Sequence, residues 1–197
     1  MKMSRKIIVV TGTPGVGKTT ISQKLANKLD ANYLSIANLV KGEQLISGVD
    51  KIRKTLVADT KKVSERVQEI LRSSVGNIII DGHYAIDVVP KKEVNTFFVL
   101  RREPAELKDV LENRGFGGKK LWENLAAEIL DVCLLDALSV CHADKVCEID
   151  VSGKTVEEIV EEMVSVLKEK KACQAGIIDW LGKLEGEGRL GEFLRDF

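Results

Sequence analysis

Two kinds of hydrophobic pattern alternate along the chain. Short apolar runs occur at Lys6 to Val10, Tyr33 to Ile36, Asn77 to Asp81, Thr96 to Leu100 and Lys145 to Ile149. The runs at Asn77 to Asp81 and Thr96 to Leu100 lack the polar alternation of a half-exposed strand, which suits a parallel sheet covered on both faces. Between them, apolar residues recur at helical spacing. Ile21, Leu25 and Leu29 share one face, and Val63, Val67, Ile70 and Leu71 share another. Asp59 or Thr60 is placed to cap the second of these helices, which is expected to run to Ser73. Pro104 suits the first position of a helix carrying Leu107 and Leu111 and stopped by Gly115. One long helix is expected from about Lys120 to Val140. Thr155-Val156-Glu157-Glu158 forms a capping box for a helix reaching Lys170. Leu39 to Leu45 reads as a short helix, and Ser47-Gly48-Val49-Asp50 as a turn.

Strands and helices therefore alternate about five times, the pattern of an α/β doubly wound parallel sheet flanked by helices. Residues 1–172 are expected to form one domain and residues 173–197 a C-terminal helical extension. In that extension Ile177, Leu181 and Leu184, then Leu190, Phe193, Leu194 and Phe197, make two short amphipathic helices expected to pack on the protein's own core.

Composition narrows the class. Of the 197 residues, 44% are hydrophobic and 30% charged, the balance of a globular chain rather than a disordered one. No apolar run approaches the length needed to span a bilayer, and the basic N-terminus is followed only by Ile7 to Val10, too short for a signal peptide. The expected location is cytoplasmic. Net charge is zero but uneven: residues 1–62 hold twelve Lys/Arg against four Asp/Glu, and residues 121–197 hold eight against seventeen. A basic N-terminal half can face anionic phosphates. The cysteines at 133, 141, 147 and 173 contain no Cys-x-x-Cys pair, so zinc-site spacing is absent. They are expected to be reduced and to act as small apolar residues, although a hyperthermophile origin would reopen the question of a disulfide.

The chemistry concentrates just after the first strand. Gly12-Thr13-Pro14-Gly15-Val16-Gly17-Lys18-Thr19 matches the phosphate-binding loop Gly-x-x-x-x-Gly-Lys-Ser/Thr at a strand-to-helix junction. Its amides and the helix N-terminus can surround ATP phosphates, with Lys18 reaching the β- and γ-phosphates. Thr19 would offer a hydroxyl to magnesium, and Thr20 can reach the α-phosphate. Asp81 ends an apolar strand, where the ligand crevice of an open parallel sheet is expected, and suits a carboxylate holding a magnesium-bound water. His83, two residues on, could orient water or an acceptor. Arg114-Gly115-Phe116-Gly117-Gly118-Lys119-Lys120 combines flexible glycines with cations and could close over ATP. Asn27-Lys28-Leu29-Asp30 spells the guanine-reading signature of GTPases, but it lies on the first helix rather than after a late strand, and is read as coincidence.

These segments occur together in an order that resembles the adenylate kinase isoenzyme 6 family: the phosphate loop, Asp81-Gly82-His83, Phe98-Val99-Leu100-Arg101, and Asn113-Arg114-Gly115-Phe116 followed by Lys119-Lys120-Leu121. The resemblance covers roughly residues 6–170. It implies a P-loop NTPase of the nucleoside-monophosphate-kinase type, with a five-stranded parallel sheet and a short lid at about 113–123. It implies the reaction of ATP with AMP to give two ADP, with broad nucleotide tolerance, magnesium as cofactor, and an ATPase activity. Matching positions that bind ATP are Gly15, Gly17, Lys18, Thr19, Thr20, Arg114 and Lys154, and the Asp81–His83 pair is associated with magnesium and catalysis. The monophosphate-binding region is expected at about 33–56. Relatives there often carry aspartate at the position of Asn38 and arginine at that of Lys41, so Lys41, Arg53 and Lys54 are the candidate monophosphate-binding cations. Members of the family also assist small-ribosomal-subunit maturation by binding a ribosomal protein, which makes such a protein an expected partner.

Overall fold

The structure, a computed structural model, describes residues 5–50 and 55–194. Its main sheet has five parallel strands: β1 (Ile7–Thr11), β2 (Asn32–Ser35), β5 (Ile78–Asp81), β6 (Thr96–Arg101) and β7 (Val146–Asp150), in the order β2-β5-β1-β6-β7. The two remaining strands, β3 (Ile46–Asp50) and β4 (Thr55–Ala58), pair antiparallel in a separate small sheet. The helices are α1 (Lys18–Leu29), α2 (Ile36–Gly42), α3 (Thr60–Ser73), α4 (Ala85–Val88), α5 (Pro104–Asn113), α6 (Gly118–Ile129), α7 (Val132–Val140), α8 (Val156–Leu167), α9 (Trp180–Gly186) and α10 (Leu190–Phe193).

Burial explains the unbroken apolar runs. All five residues of β1 and all four of β5 are buried. Because successive side chains point to opposite faces, Ile8, Val10, Ile79, Phe98 and Leu100 enter one core with α1, α5, α6 and α8. Ile7, Val9, Ile78, Ile80, Phe97 and Val99 enter the other, with α2, α3, α4 and α7. Strand β1 lies at the centre, with β5 and β6 on either side, so the chain's direction of winding reverses there. The crevice at its C-terminal end is the ligand-binding position of an open α/β sheet.

Local signals fix several ends as expected. The Asp59 carboxylate accepts from the Lys62 amide to open α3, Pro104 stands in the first turn of α5, and the Thr155–Glu158 capping box opens α8. The stretch expected to be one helix from Lys120 to Val140 is instead two, α6 and α7, broken at Asp131, whose φ of 57° is left-handed. The break serves a buried ion group: Arg101 Nη2 donates to Asp131 Oδ1 at 2.5 Å and to the Glu128 carbonyl at 2.9 Å. The segment expected to turn at Ser47 to Asp50 is strand β3, paired with β4 with an irregularity between Ile46 and Gly48.

The C-terminal segment packs on the core through Trp180, Leu184 and Phe193, whereas Ile177 and Leu181 are exposed. On its way it runs along β7, the outer strand of the sheet, where the Glu148 amide donates to the Gln174 carbonyl at 2.8 Å. A disulfide joins Cys147 of β7 to Cys173, with Cα atoms 4.8 Å apart. The expectation of four reduced cysteines is thereby corrected for this pair, while Cys133 and Cys141 are free. Residues far apart in sequence carry no spacing signal for such a bridge; the return of the chain beside β7 creates it.

Candidate active site

The loop between β1 and α1 is shaped by glycines that admit no side chain. A Cβ on Gly12, at φ 138°, would stand 2.5 Å from the Leu100 carbonyl oxygen. On Gly15, at φ 100°, it would meet Leu107 Cδ1 at 2.8 Å. Only glycine combines this left-handed backbone with that approach. Gly17 precedes α1 and supplies no side-chain cap, so the first-turn amides are left for a ligand at the positive end of the helix.

A cleft opens here, lined by Pro14, Gly15, Gly17, Lys18, Thr19, Thr20, His83 and Arg114. The Lys18 ammonium donates to the carbonyls of Gly12 at 2.6 Å and Thr13 at 2.9 Å. Burial lowers its pKa to about 8, against the pull of Cys133, Asp81 and Glu128, while Arg114 pushes the same way as burial. A phosphate entering the cleft would supply the negative charge that this lysine lacks.

Asp81, the last residue of β5, is 3% exposed. Its two oxygens are engaged separately: Thr19 Oγ1 donates to Oδ2 at 2.8 Å, and Tyr33 Oη donates to Oδ1 at 3.0 Å. Tyr33 comes from β2, on the far side of β5, and the sequence carried no signal for it beyond a polar-tipped residue on a strand. Burial, then the Asp81 charge, raises its phenol to about 12, so it remains a hydrogen-bond donor. A hydroxyl beside a carboxylate is a set of hard oxygen donors of the kind magnesium prefers. Among the described residues no group of three or more His, Cys, Asp or Glu is arranged to hold a metal on its own.

His83 stands on the cleft wall, edge-on to the Tyr84 ring at 4.5 Å. The surrounding protein and the Lys18 ammonium lower its pKa to about 4. The residue as a whole is exposed, and solvent there screens the lysine. The direction of the shift still leaves a neutral imidazole near pH 7. Arg114 follows α5 and faces the cleft from the segment joining it to α6. Lys120, in the first turn of α6, stacks on Phe116 of that segment with its ammonium 4.6 Å from the ring centre.

Other candidate positions lie elsewhere. Lys154 pairs with Glu162 at 2.8 Å and is not among the cleft-lining residues. Lys41 is exposed on α2. Arg53 and Lys54 fall outside the described residues.

A phosphate loop at the reversal point of a parallel sheet, with a hydroxyl–carboxylate pair at the neighbouring strand end, defines a P-loop NTPase of kinase-like fold. The same architecture occurs in shikimate kinase from Acinetobacter baumannii, with a TM-score of 0.62 and 14% identity over 85% of this chain and 96% of that one. It occurs too in a gluconokinase from Sinorhizobium meliloti, with a TM-score of 0.52 and 17% identity over 85% of this chain and 95% of that one. At such identities the fold alone is shared. A family model described as an AAA domain matches residues 8–131. A protein named "Putative adenylate kinase" from Methanocaldococcus jannaschii is 39% identical over 176 residues, covering 89% of this chain and 93% of that protein. A second of that name, from Thermococcus kodakarensis, is 36% identical over 88% of this chain and 92% of its own length. The chain belongs to this AAA domain family and to the adenylate-kinase-like family that these archaeal proteins represent.

Proposed function

We propose that this protein is a magnesium-dependent adenylate kinase that transfers the γ-phosphoryl group of ATP to AMP. The observation that carries the reading is one cleft joining a phosphate loop, Lys18, the Thr19–Asp81 pair and Arg114, in a chain so similar to proteins named for that activity.

The loop amides and Lys18 would hold the β- and γ-phosphates, Lys18 exchanging its loop carbonyls for phosphate oxygens. Thr19 and Asp81 would hold magnesium, which when bound neutralises charge on the phosphate oxygens. Tyr33 keeps Asp81 oriented. Arg114 would place a guanidinium against the transferring group, where planar donors suit phosphate geometry. Phosphoryl transfer asks for alignment and charge stabilisation rather than covalent participation of the protein. The AMP phosphate is itself the nucleophile, so the kinase reaction needs no strong base. Residues 33–56 would seat the monophosphate and residues 113–123 would cover the ATP.

A second reading is favoured by His83, a neutral imidazole on the cleft wall that can accept a proton from water. It makes ATP hydrolysis the main output, with the protein acting as an ATP-switched factor that binds a small-subunit ribosomal protein. A coupled assay of ADP and phosphate release from MgATP, with and without AMP, separates the two. AMP-dependent ADP formation that vanishes in Lys18→Ala supports the kinase. Phosphate release indifferent to AMP, and lost in His83→Ala, overturns it in favour of hydrolysis.

A further inference from the structure

A position that the phosphate-loop motif leaves open, Thr13, is held by a buried carboxylate that the C-terminal segment also touches. Thr13, 1% exposed, does not face the cleft. Its hydroxyl donates to Glu128 Oε2 at 2.5 Å, while its carbonyl accepts from Lys18 Nζ at 2.9 Å. Glu128, on α6, is likewise 1% exposed. Its second oxygen, Oε1, accepts from Arg101 Nε at 2.9 Å, the Arg102 amide at 3.0 Å and Trp180 Nε1 at 3.3 Å. Arg101 also donates to Glu148 Oε1 at 2.6 Å, and the other oxygen of Glu148 accepts from the Ile177 amide at 2.8 Å. The C-terminal segment thus touches the group twice, through Ile177 and Trp180, just beyond its disulfide at Cys173.

A role in stability explains this poorly. The guanidinium of Arg101 faces two buried carboxylates, Glu128 and Glu148, as well as Asp131. Buried charges of this kind lose as much by desolvation as they gain by attraction, and apolar residues of similar volume usually serve stability as well or better. What a fully satisfied buried network does supply is a fixed geometry. Here the geometry fixed is that of Thr13, whose own carbonyl accepts from the nucleotide-binding lysine. We infer that Glu128 is a positioning residue for the phosphate loop, acting through Thr13, and that Trp180 of the C-terminal segment holds Glu128 in place for that task. The inference rests on the loop binding ATP, and not on AMP being the acceptor.

The test is calorimetric binding of MgATP to the full-length protein and to Thr13→Val, Thr13→Ser, Trp180→Phe and the Thr13→Val/Trp180→Phe double variant, each with its thermal midpoint. Valine keeps the shape of Thr13 and leaves a buried carboxylate oxygen unpaired, so its Kd should rise about tenfold. Serine restores the hydroxyl and should return Kd to within about threefold of the parent. Phenylalanine keeps an aromatic ring at position 180, smaller than the indole and without its N–H, and should weaken binding about threefold. The double variant should bind no worse than Thr13→Val alone, because Trp180 acts through the same hydroxyl. Folded variants that all bind like the parent would overturn the inference. So would a serine variant as weak as the valine one, or losses that simply add. If the parent binds MgATP but does not phosphorylate AMP, the kinase proposal fails while these ratios still decide the role of Glu128.

Discussion

The Thr19 hydroxyl donates to Asp81 Oδ2 at 2.8 Å, joining the first turn of α1 to the end of β5 across 62 positions of sequence. One residue belongs to the phosphate loop and the other to the neighbouring strand, so the reversal of the sheet at β1 makes the pair. If they hold magnesium, Asp81→Asn should lower metal affinity about 10–100-fold. Titrating turnover with magnesium at saturating ATP checks this. A variant with unchanged half-saturation and full activity would remove Asp81 from the site.

Tyr33 contributes one hydrogen bond to the free side of that carboxylate. Tyr33→Phe keeps the ring and removes the donor. It should raise the magnesium half-saturation about three- to tenfold, the effect of one ordinary hydrogen bond, since Tyr33 would act on the metal only through Asp81. Thermal unfolding should move little, and the two measurements together separate orientation of Asp81 from loss of packing.

Lys18 gives the nucleotide site a pH dependence. Its pKa in the free protein lies near 8, below the ordinary 10.5, and phosphate prefers the charged form. Raising the pH through 8 removes the proton from the free protein, so ATP binding must take one up. Affinity for ATP should fall about tenfold between pH 7 and pH 9, following the protonated fraction. The linkage for folding has the opposite sense. The folded pKa is depressed, so between about 8 and 10.5 the unfolded chain binds the extra proton and this group's contribution to stability rises with pH. Calorimetry of ATP binding between about pH 7 and pH 9 should show the affinity trend in the parent and a flat profile in Lys18→Ala.

The bridge between Cys147 and Cys173 closes a loop of 26 residues containing α8. Replacing both cysteines by serine should cost roughly 2–4 kcal/mol in chemical denaturation, largely through the freedom returned to the unfolded chain. Thiol labelling of the denatured protein provides a direct count. Two cysteines should react without reductant and four with it.

Much of the fold was legible because its signals are local. The central strands β1, β5 and β6 are apolar runs, and the caps at Asp59, Pro104 and Thr155 lie within three residues of the helices they open. The phosphate loop was legible because glycine, lysine and threonine at fixed spacing answer to phosphate geometry. Asp81 and His83 could be set beside it because strand ends in such a sheet converge. What escaped depends on contacts between distant segments. Tyr33 reaches Asp81 only because β2 pairs with β5, the helix break at Asp131 answers to Arg101 thirty positions earlier, and Glu128 looks from its neighbours like an ordinary helical acid. Trp180 was passed over for Ile177 and Leu181, since helical spacing cannot tell which face of a tail turns inward.

The residue at the α6–α7 junction must satisfy two demands at once, a left-handed backbone and an oxygen for Arg101 Nη2. Glycine would take the backbone at no cost but leave that guanidinium nitrogen with one acceptor fewer. Glutamate could offer the oxygen only from a backbone it adopts unwillingly. Asparagine comes nearest, since it tolerates this conformation and carries a carbonyl at the same reach. The range of amino acids that position 131 accepts is therefore set by an arginine on β6, at the end of the strand next to the phosphate loop.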